Sequence, residues 1–347
     1  MTGGAGFIGS HIVDALVDDG HEVVVLDDLL PTAHLETPDY LNRASEFIGG
    51  DVTNAGTVHQ ALRGVDVVCH QASMVGMGHD FLDVTDYAHH NDFGTAVLLE
   101  ELAHARRKLR LVLASSMVVY GEGGYTCETH GRQTPGPRSE ADLKRGLFEP
   151  KCPQCGKALQ THAIEESSPL DPRSVYAATK VHQEHLCFAF ARETGLPVTA
   201  LRYHNVYGPR MPRDTPYAGV AAIFASSLVA GHQPRVFEDG KQLRDFVHVR
   251  DVARANVLAL TRDPPLTGAF NIASGTPRSV GEMATALADA VGSDAPRPVV
   301  TGEYRLGDVR HVFASAELAK RELGFEARED FAAGMVEFAR APLRAAV

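Results

Sequence analysis

The sequence predicts an α/β protein, a doubly wound parallel sheet followed by a smaller C-terminal α/β lobe. Three observations carry that prediction. Glycines at 3, 6 and 9 run into an apolar periodic stretch (Ile12, Val13, Leu16, Val17) closed by Gly20, and a strand-like segment, 21–26, follows. Short apolar runs at 46–53, 65–73, 109–114 and 197–209 then alternate with helical patterns, the alternation that builds parallel βαβ units. Tyr176 and Lys180 stand four apart at the start of a helical pattern that runs to Gly195. Positions i and i+4 share one helix face, so a phenol and an ammonium are presented side by side.

Taken along the chain, the glycine loop comes first. Its spacing allows a tight turn and lets backbone N–H groups approach a pyrophosphate seated on the positive end of the next helix. The strand after it ends in Asp27 and Asp28, about 20 residues past the loop, where an acid binds the adenosine ribose hydroxyls and repels a 2′-phosphate. NAD is therefore expected over NADP, on a Rossmann-type sheet. Met1 stands immediately before Thr2 and Gly3, which leaves the strand that delivers the loop almost absent. The expectation is that the true start lies a few codons upstream.

Residues 46–53 read as the third strand and 65–73 as the fourth, with the small-residue loop 74–78 bordering a substrate pocket. Asn91 opens a helix with an apolar face of Val97, Leu98, Leu99 and Leu102; by spacing alone such an asparagine reads as a cap. The fifth strand, 109–114, brings Ser115 and Ser116 to the carboxyl end of the sheet, where ligands of such folds bind. A further strand delivers His204 and Asn205, and a lone histidine there reads as a satisfied polar residue. Helices at 217–228, 283–291, 318–323 and 331–338 build the C-terminal lobe. The domain boundary is placed after residue 205, with 206–347 mainly the second lobe and 245–274 returning to the first.

A tyrosine acting as a base at neutral pH needs its pKa lowered by roughly three units, about 4 kcal/mol, and a nearby fixed positive charge supplies that. Lys180, together with the positively charged nicotinamide of the expected NAD, is expected to hold Tyr176 low in this way. Gly3-x-x-Gly6-x-x-Gly9, the segment Leu-Ala-Ser-Ser-Met-Val-Val-Tyr-Gly at 113–121 and Tyr176-x-x-x-Lys180 together resemble an extended short-chain dehydrogenase/reductase. Within that superfamily the chain resembles the nucleotide-sugar epimerase/dehydratase group over nearly its whole length. The resemblance implies NAD held by Gly3, Gly6, Phe7, Ile8 and Gly9, by Asp27, Asp28, Asp51 and Val52, by Gln71, Ala72 and Asn91, and by Tyr176, Lys180 and His204. It implies catalysis by Ser116, Tyr176 and Lys180, and a nucleotide-diphosphate sugar bound by Ser116, Asn205, Arg244 and Arg305. Guanidinium groups suit a diphosphate because they are permanently charged and bidentate.

Met117 and Val118 stand where the related 4,6-dehydratases carry an Asp-Glu acid/base pair, and decarboxylases usually enlist a glutamate in this stretch. Apolar side chains move no protons, so the implied reaction is reversible C4 oxidation ending in 4-epimerisation. A Cys-Pro-x-Cys-Gly turn at 152–156, combined with 202–212, resembles dTDP-L-rhamnose 4-epimerases; UDP-glucose or UDP-glucuronate 4-epimerases come next, and a dehydratase or decarboxylase is the alternative. The group also implies a homodimer packed through the helix that carries Tyr176, for which Leu186, Phe188 and Phe190 are available.

Between Gly121 and Ile164 comes a segment the basic fold does not need, 122–165, rich in glycine, proline and charge. Cys127 and His130 face Cys152 and Cys155 across residues 131–151. Three thiolates and an imidazole can close a tetrahedral structural zinc site, which makes the insertion zinc-ribbon-like; reduced unliganded cysteines or a redox pair are the alternatives. Lying between Ser116 and Tyr176, the insertion is expected as a lid or wall over the sugar. Cys69 and Cys187 sit in apolar patterns and read as core.

Net charge is −11, from 33 basic and 44 acidic residues, with no basic run longer than 106–108, which argues against nucleic acid as a partner. No apolar stretch reaches membrane-spanning length and no signal segment precedes the glycine loop, so a soluble cytoplasmic protein is expected.

Overall fold

The strand Arg110–Ser116 reads Leu-Val-Leu-Ala through its middle, a continuous apolar run, because both faces of the sheet it sits in are covered. The computed structural model describes residues 1–31, 33–34, 36–76, 81–105, 107–212, 219–342 and 344. Arg110–Ser116 is flanked by Val67–His70 on one side and Val198–Tyr203 on the other, and Gly268–Ile272 pairs beyond the latter, all parallel. Glu46–Gly49 and Val24–Asp27 form a second parallel pair. Thr2 joins the two groups, bridging Leu26 on one side and His70 on the other. The ladder around it is complete: Leu26 N–H donates to Met1 O at 2.8 Å, Gly3 N–H to Leu26 O at 2.9 Å, Thr2 N–H to Cys69 O at 3.0 Å and Gln71 N–H to Thr2 O at 3.1 Å. Residues 1–3 thus join the two parallel groups through isolated bridges at Thr2.

Helices cover both faces, and side-chain alternation along the strands sorts the core in two. Val112, Leu201 and Phe270 pack with Ile12 and Leu16 of Phe7–Asp18 and with Val252 and Leu260 of Val249–Thr261. Leu111, Leu113 and Ala200 pack on the opposite side with Leu98 and Leu102 of Gly94–His104 and with Cys187 and Ala191 of Val175–Thr194. Cys69 and Cys187 are core residues of these two clusters.

Another apolar cluster gathers Phe224 and Leu228 of Val220–Val229, Met283 and Leu287 of Val280–Val291, and Met335 and Phe338 of Phe331–Arg340. The sequence reading began the first of these helices at Tyr217, which lies outside the described residues, as do Met77, Gly78 and Arg106. The insertion holds an antiparallel three-stranded sheet, Gly124–Cys127 between Gly131–Gln133 and Gln160–His162, with a small core of Tyr125, Cys127, Cys152 and Leu159. Among the described residues no helix is long and apolar enough to cross a membrane.

Candidate active site and metal centre

The turn from Thr2 into Phe7–Asp18 is possible only with glycine at its ends. Gly3 has φ +67°, and a Cβ there would sit 2.5 Å from the Ala72 nitrogen; one on Gly9 would sit 2.0 Å from the Gly3 carbonyl oxygen. The turn leaves the first-turn amides, those of Phe7 and Ile8 among them, without acceptors at the positive end of the helix. The side chains of these two residues pack into separate apolar clusters. Beside the turn lies a cleft of about 640 Å³ that brings together Gly3, Gly6, Asp27, Asp28, Asp51, Val52, Gln71 and Ala72; it is walled too by Met74, of the loop expected to border the substrate pocket, and by Ser73 and His90, which the sequence did not single out. Asp27 is committed to the protein, accepting from Ala5 N–H at 2.9 Å and Leu29 N–H at 3.0 Å. Asp28 is freer, accepting among the described residues only from Leu30 N–H at 3.3 Å. Burial, then the neighbouring Asp27 and Asp51, push its carboxyl above the usual range, so the rim is already crowded with negative charge.

Ser174 caps the helix Val175–Thr194 through Ala177 N–H at 3.1 Å, and Gly195 at φ 72° ends it. The first turn after that cap presents Tyr176 and the buried Lys180 below the end of Arg110–Ser116. Lys180 Nζ donates to Ala114 O at 3.0 Å and lies 5.8 Å from the centre of the Tyr176 ring. Ser116 Oγ accepts from Val118 N–H at 3.3 Å, while Ser115, facing the other way, donates to the buried Glu184. Asn91, on the π-turn Ala88–Phe93, ties the cleft to this helix: it accepts from Met74 N–H at 2.7 Å and donates to Thr179 Oγ1 at 2.9 Å.

In the protein alone, burial pushes the Tyr176 phenol up to about 12, only partly offset by the Ser116 hydroxyl. Burial pulls Lys180 down to about 7. Lys180 alone therefore offsets little of that push, which leaves the lowering of Tyr176 to the expected nicotinamide charge as well. His204 is buried and burial lowers it to about 3, which leaves it neutral.

On the other side of Tyr176, Met117 and Val118 wall a cleft of about 710 Å³ together with Arg173, Ala177, Arg244 and Asp308. Arg244 and Asp308 also border a larger cleft of about 1710 Å³ with Asn205, Phe237 and Arg305. Asn205 Oδ1 is buried there with no partner among the described residues, and the exposed Arg305 lies 5.1 Å over the Phe237 ring. Arg244 is less free than anticipated, donating to the carbonyls of Leu243, Val309 and Arg310, each at 2.8 Å.

Cys127, His130, Cys152 and Cys155 bring their ligand atoms within 4.8 Å of one another. Cys127 Sγ lies 3.7 Å from Cys155 Sγ, and His130 Nδ1 lies 3.5 Å from both Cys127 Sγ and Cys152 Sγ. A tetrahedron with Zn–S of about 2.3 Å and Zn–N of about 2.0–2.1 Å has S···S edges of about 3.8 Å and S···N edges of about 3.5–3.6 Å. The four residues therefore fit a zinc ion. Burial opposes ionisation of Cys127, but the N–H groups of Thr129 and His130 bring its thiol down to about 6, the knuckle arrangement a thiolate ligand needs.

Sequence comparison matches residues 1–142 and 152–273 to the NAD dependent epimerase/dehydratase family, leaving only 143–151 of the insertion unmatched within that span. The chain is 33% identical to dTDP-L-rhamnose 4-epimerase of Burkholderia thailandensis over 342 residues, 97% of this chain and 92% of that one. It is also 33% identical to UDP-N-acetyl-alpha-D-glucosaminuronate decarboxylase of Bacillus cytotoxicus over 285 residues, 82% and 77% of the two chains. Among solved structures, Thermus thermophilus UDP-glucose 4-epimerase in complex with NAD superposes with a TM-score of 0.75 at 30% identity, covering 97% of this chain and 96% of that one.

Proposed function

As the chain belongs to the NAD dependent epimerase/dehydratase family, we propose that it inverts C4 of a nucleotide-diphosphate sugar, with dTDP-L-rhamnose as first candidate and UDP-glucose or UDP-glucuronate next. The observation that supports this reading is the side-by-side presentation of Tyr176 and Lys180, 5.8 Å apart, beneath the end of the strand that carries Ser116, whose next residues Met117 and Val118 wall a cleft. The glycine cradle that any Cβ would fill and the acidic rim at Asp28 fit NAD, held by Gly3 to Gly9, Asp27, Asp28, Asp51, Val52, Gln71 and Ala72. NAD held there would supply the acceptor and donor of the C4 hydride and, through its oxidised ring, a permanent positive charge beside Tyr176.

The protein's own residues manage the proton and the sugar. Tyr176 accepts the 4-hydroxyl proton and later gives it back, within reach of Ser116, which orients that hydroxyl. Lys180, held by the Ala114 carbonyl at 3.0 Å and 5.8 Å from the ring, places its ammonium beside the phenol. Asn205 Oδ1 and Arg305 bind the nucleotide end, and the 4-keto sugar turns over between them and Tyr176. The decarboxylase likeness keeps a second reading open, but Met117 and Val118 leave the positions of the dehydratase acid and base apolar on the wall itself. We read the Cys/His cluster as a structural zinc site, and the molecule as a cytoplasmic homodimer with Leu186, Phe188 and Phe190 near the interface, although all three are already partly buried against the sheet.

The test is NMR of the purified protein with dTDP-L-rhamnose, UDP-glucose and UDP-glucuronate in turn, without added cofactor. A new anomeric signal at unchanged mass, absent with Tyr176→Phe, is expected for one sugar. Loss of water or carbon dioxide would instead establish the second reading.

A further inference from the structure

Buried charge ties the insertion to the nucleotide end of the substrate cleft. Arg310 is fully buried, and its guanidinium is shared by Glu149 of the insertion at 2.6 Å, Glu238 at 2.8 Å and Asp239 at 2.7 Å. Arg138 of the insertion, its side chain 5% exposed, pairs with the other oxygen of Glu238 at 2.7 Å and donates to the Asp308 carbonyl at 2.7 Å. Glu122 accepts from Arg310 N–H at 3.1 Å, and Tyr125 Oη accepts from His311 N–H at 3.2 Å. Every one of these bonds that starts in 122–165 lands on 238 or on 308–311, and Glu238, Arg305 and Asp308 wall the cleft.

The charge pattern gives this a purpose. Glu238 puts a carboxylate on the wall of a cleft that has to accept a diphosphate, where a bare negative charge repels the ligand. Arg138 and Arg310 neutralise it from behind, without reaching the ligand themselves. Tyr125 shares its small core with Cys127 and Cys152, and Glu149 lies three residues before Cys152, so the Cys/His cluster anchors the near end of these struts.

We propose that the zinc-closed insertion is a clamp that sets the affinity of the cleft for the nucleoside diphosphate, with Arg138 as its positioning residue. The inference rests on the nucleotide-sugar and zinc readings above. Titration calorimetry with UDP and dTDP on the NAD-loaded protein, with bound zinc and bound NAD measured on the same samples, tests it. Arg138→Gln keeps zinc and NAD but binds the favoured nucleotide about ten-fold more weakly, Arg138→Lys recovers much of the loss, and KM rises while kcat holds within about two-fold. Zinc-stripped wild type shows the same weakening with NAD retained, and it carries the test if Arg138→Gln fails to fold. Unchanged nucleotide affinity in Arg138→Gln or in the stripped protein overturns the clamp. Wild type that binds neither nucleotide overturns the substrate reading and the clamp with it.

Discussion

Tyr176 carries the proton chemistry, and its environment makes the prediction sharp. Tyr176→Phe removes one oxygen from a site whose packing is otherwise kept, so kcat should fall by about 10² to 10⁴ with little change in melting temperature or bound NAD, measured by sugar interconversion and thermal unfolding. Lys180 makes a prediction about stability. Its folded pKa is about 7 because of burial, against an ordinary 10.5. Between those values the unfolded chain binds more protons than the folded one, so this group's contribution to stability rises with pH across the window. Nucleotide-free wild type should gain on Lys180→Met from pH 7 to pH 10 in chemical unfolding; parallel profiles would refute the shift. At this scale much of the site was legible in the sequence, because a turn that excludes Cβ atoms demands glycine at 3 and 9, and one helical turn dictates that Tyr176 and Lys180 share a face. The sign of the Tyr176 shift was not legible, because burial is set by neighbours far along the chain.

The helix Val175–Thr194 does more than present two side chains. Four residues beyond Lys180, the buried Glu184 takes both arms of Arg202 at 2.9 and 2.7 Å and a bond from Ser115, fastening the helix to the two central strands. Arg202 continues to Tyr120 Oη at 2.8 Å, which donates to Asn271 at 2.7 Å. Glu184→Gln leaves a buried guanidinium uncompensated and should cost about 3–5 kcal/mol in denaturant unfolding. Loss of less than 1 kcal/mol would show that the pair is not the fastening. Periodicity located this helix and the strands around it, since apolar runs and i, i+4 faces are local properties. It could not foresee Glu184 with Arg202 as a buried pair, because polar residues inside an apolar pattern look like solvent-facing ones until the strands are placed.

For the molecule as a whole, the insertion is a small unit with its own apolar core of Tyr125, Cys127, Cys152 and Leu159. So slight a core cannot stand without a staple. Chelation should therefore raise amide hydrogen exchange across 122–165 first and leave the strands Arg110–Ser116 and Val198–Tyr203 protected; uniform loss of protection would mean that the cluster supports the entire fold. The sequence announced the Cys/His cluster, since four side chains at knuckle spacing are a local signal, but gave no sign of where the insertion docks. Arg310 meets Glu149 across 161 residues and Glu122 across 188, and no local pattern reports such a meeting.

The fully buried Arg310 also bears on modularity. Loops are ordinarily the freely exchangeable parts of a fold, yet 122–165 supplies counter-charge and carbonyl grips to residues more than a hundred positions away. Excising it, or swapping it alone into a relative, would strand Glu238, Asp239 and Arg310 with their charges unbalanced. A functional chimera must carry 122–165, 238–239 and 308–311 together, as one heritable unit scattered over three places in the chain.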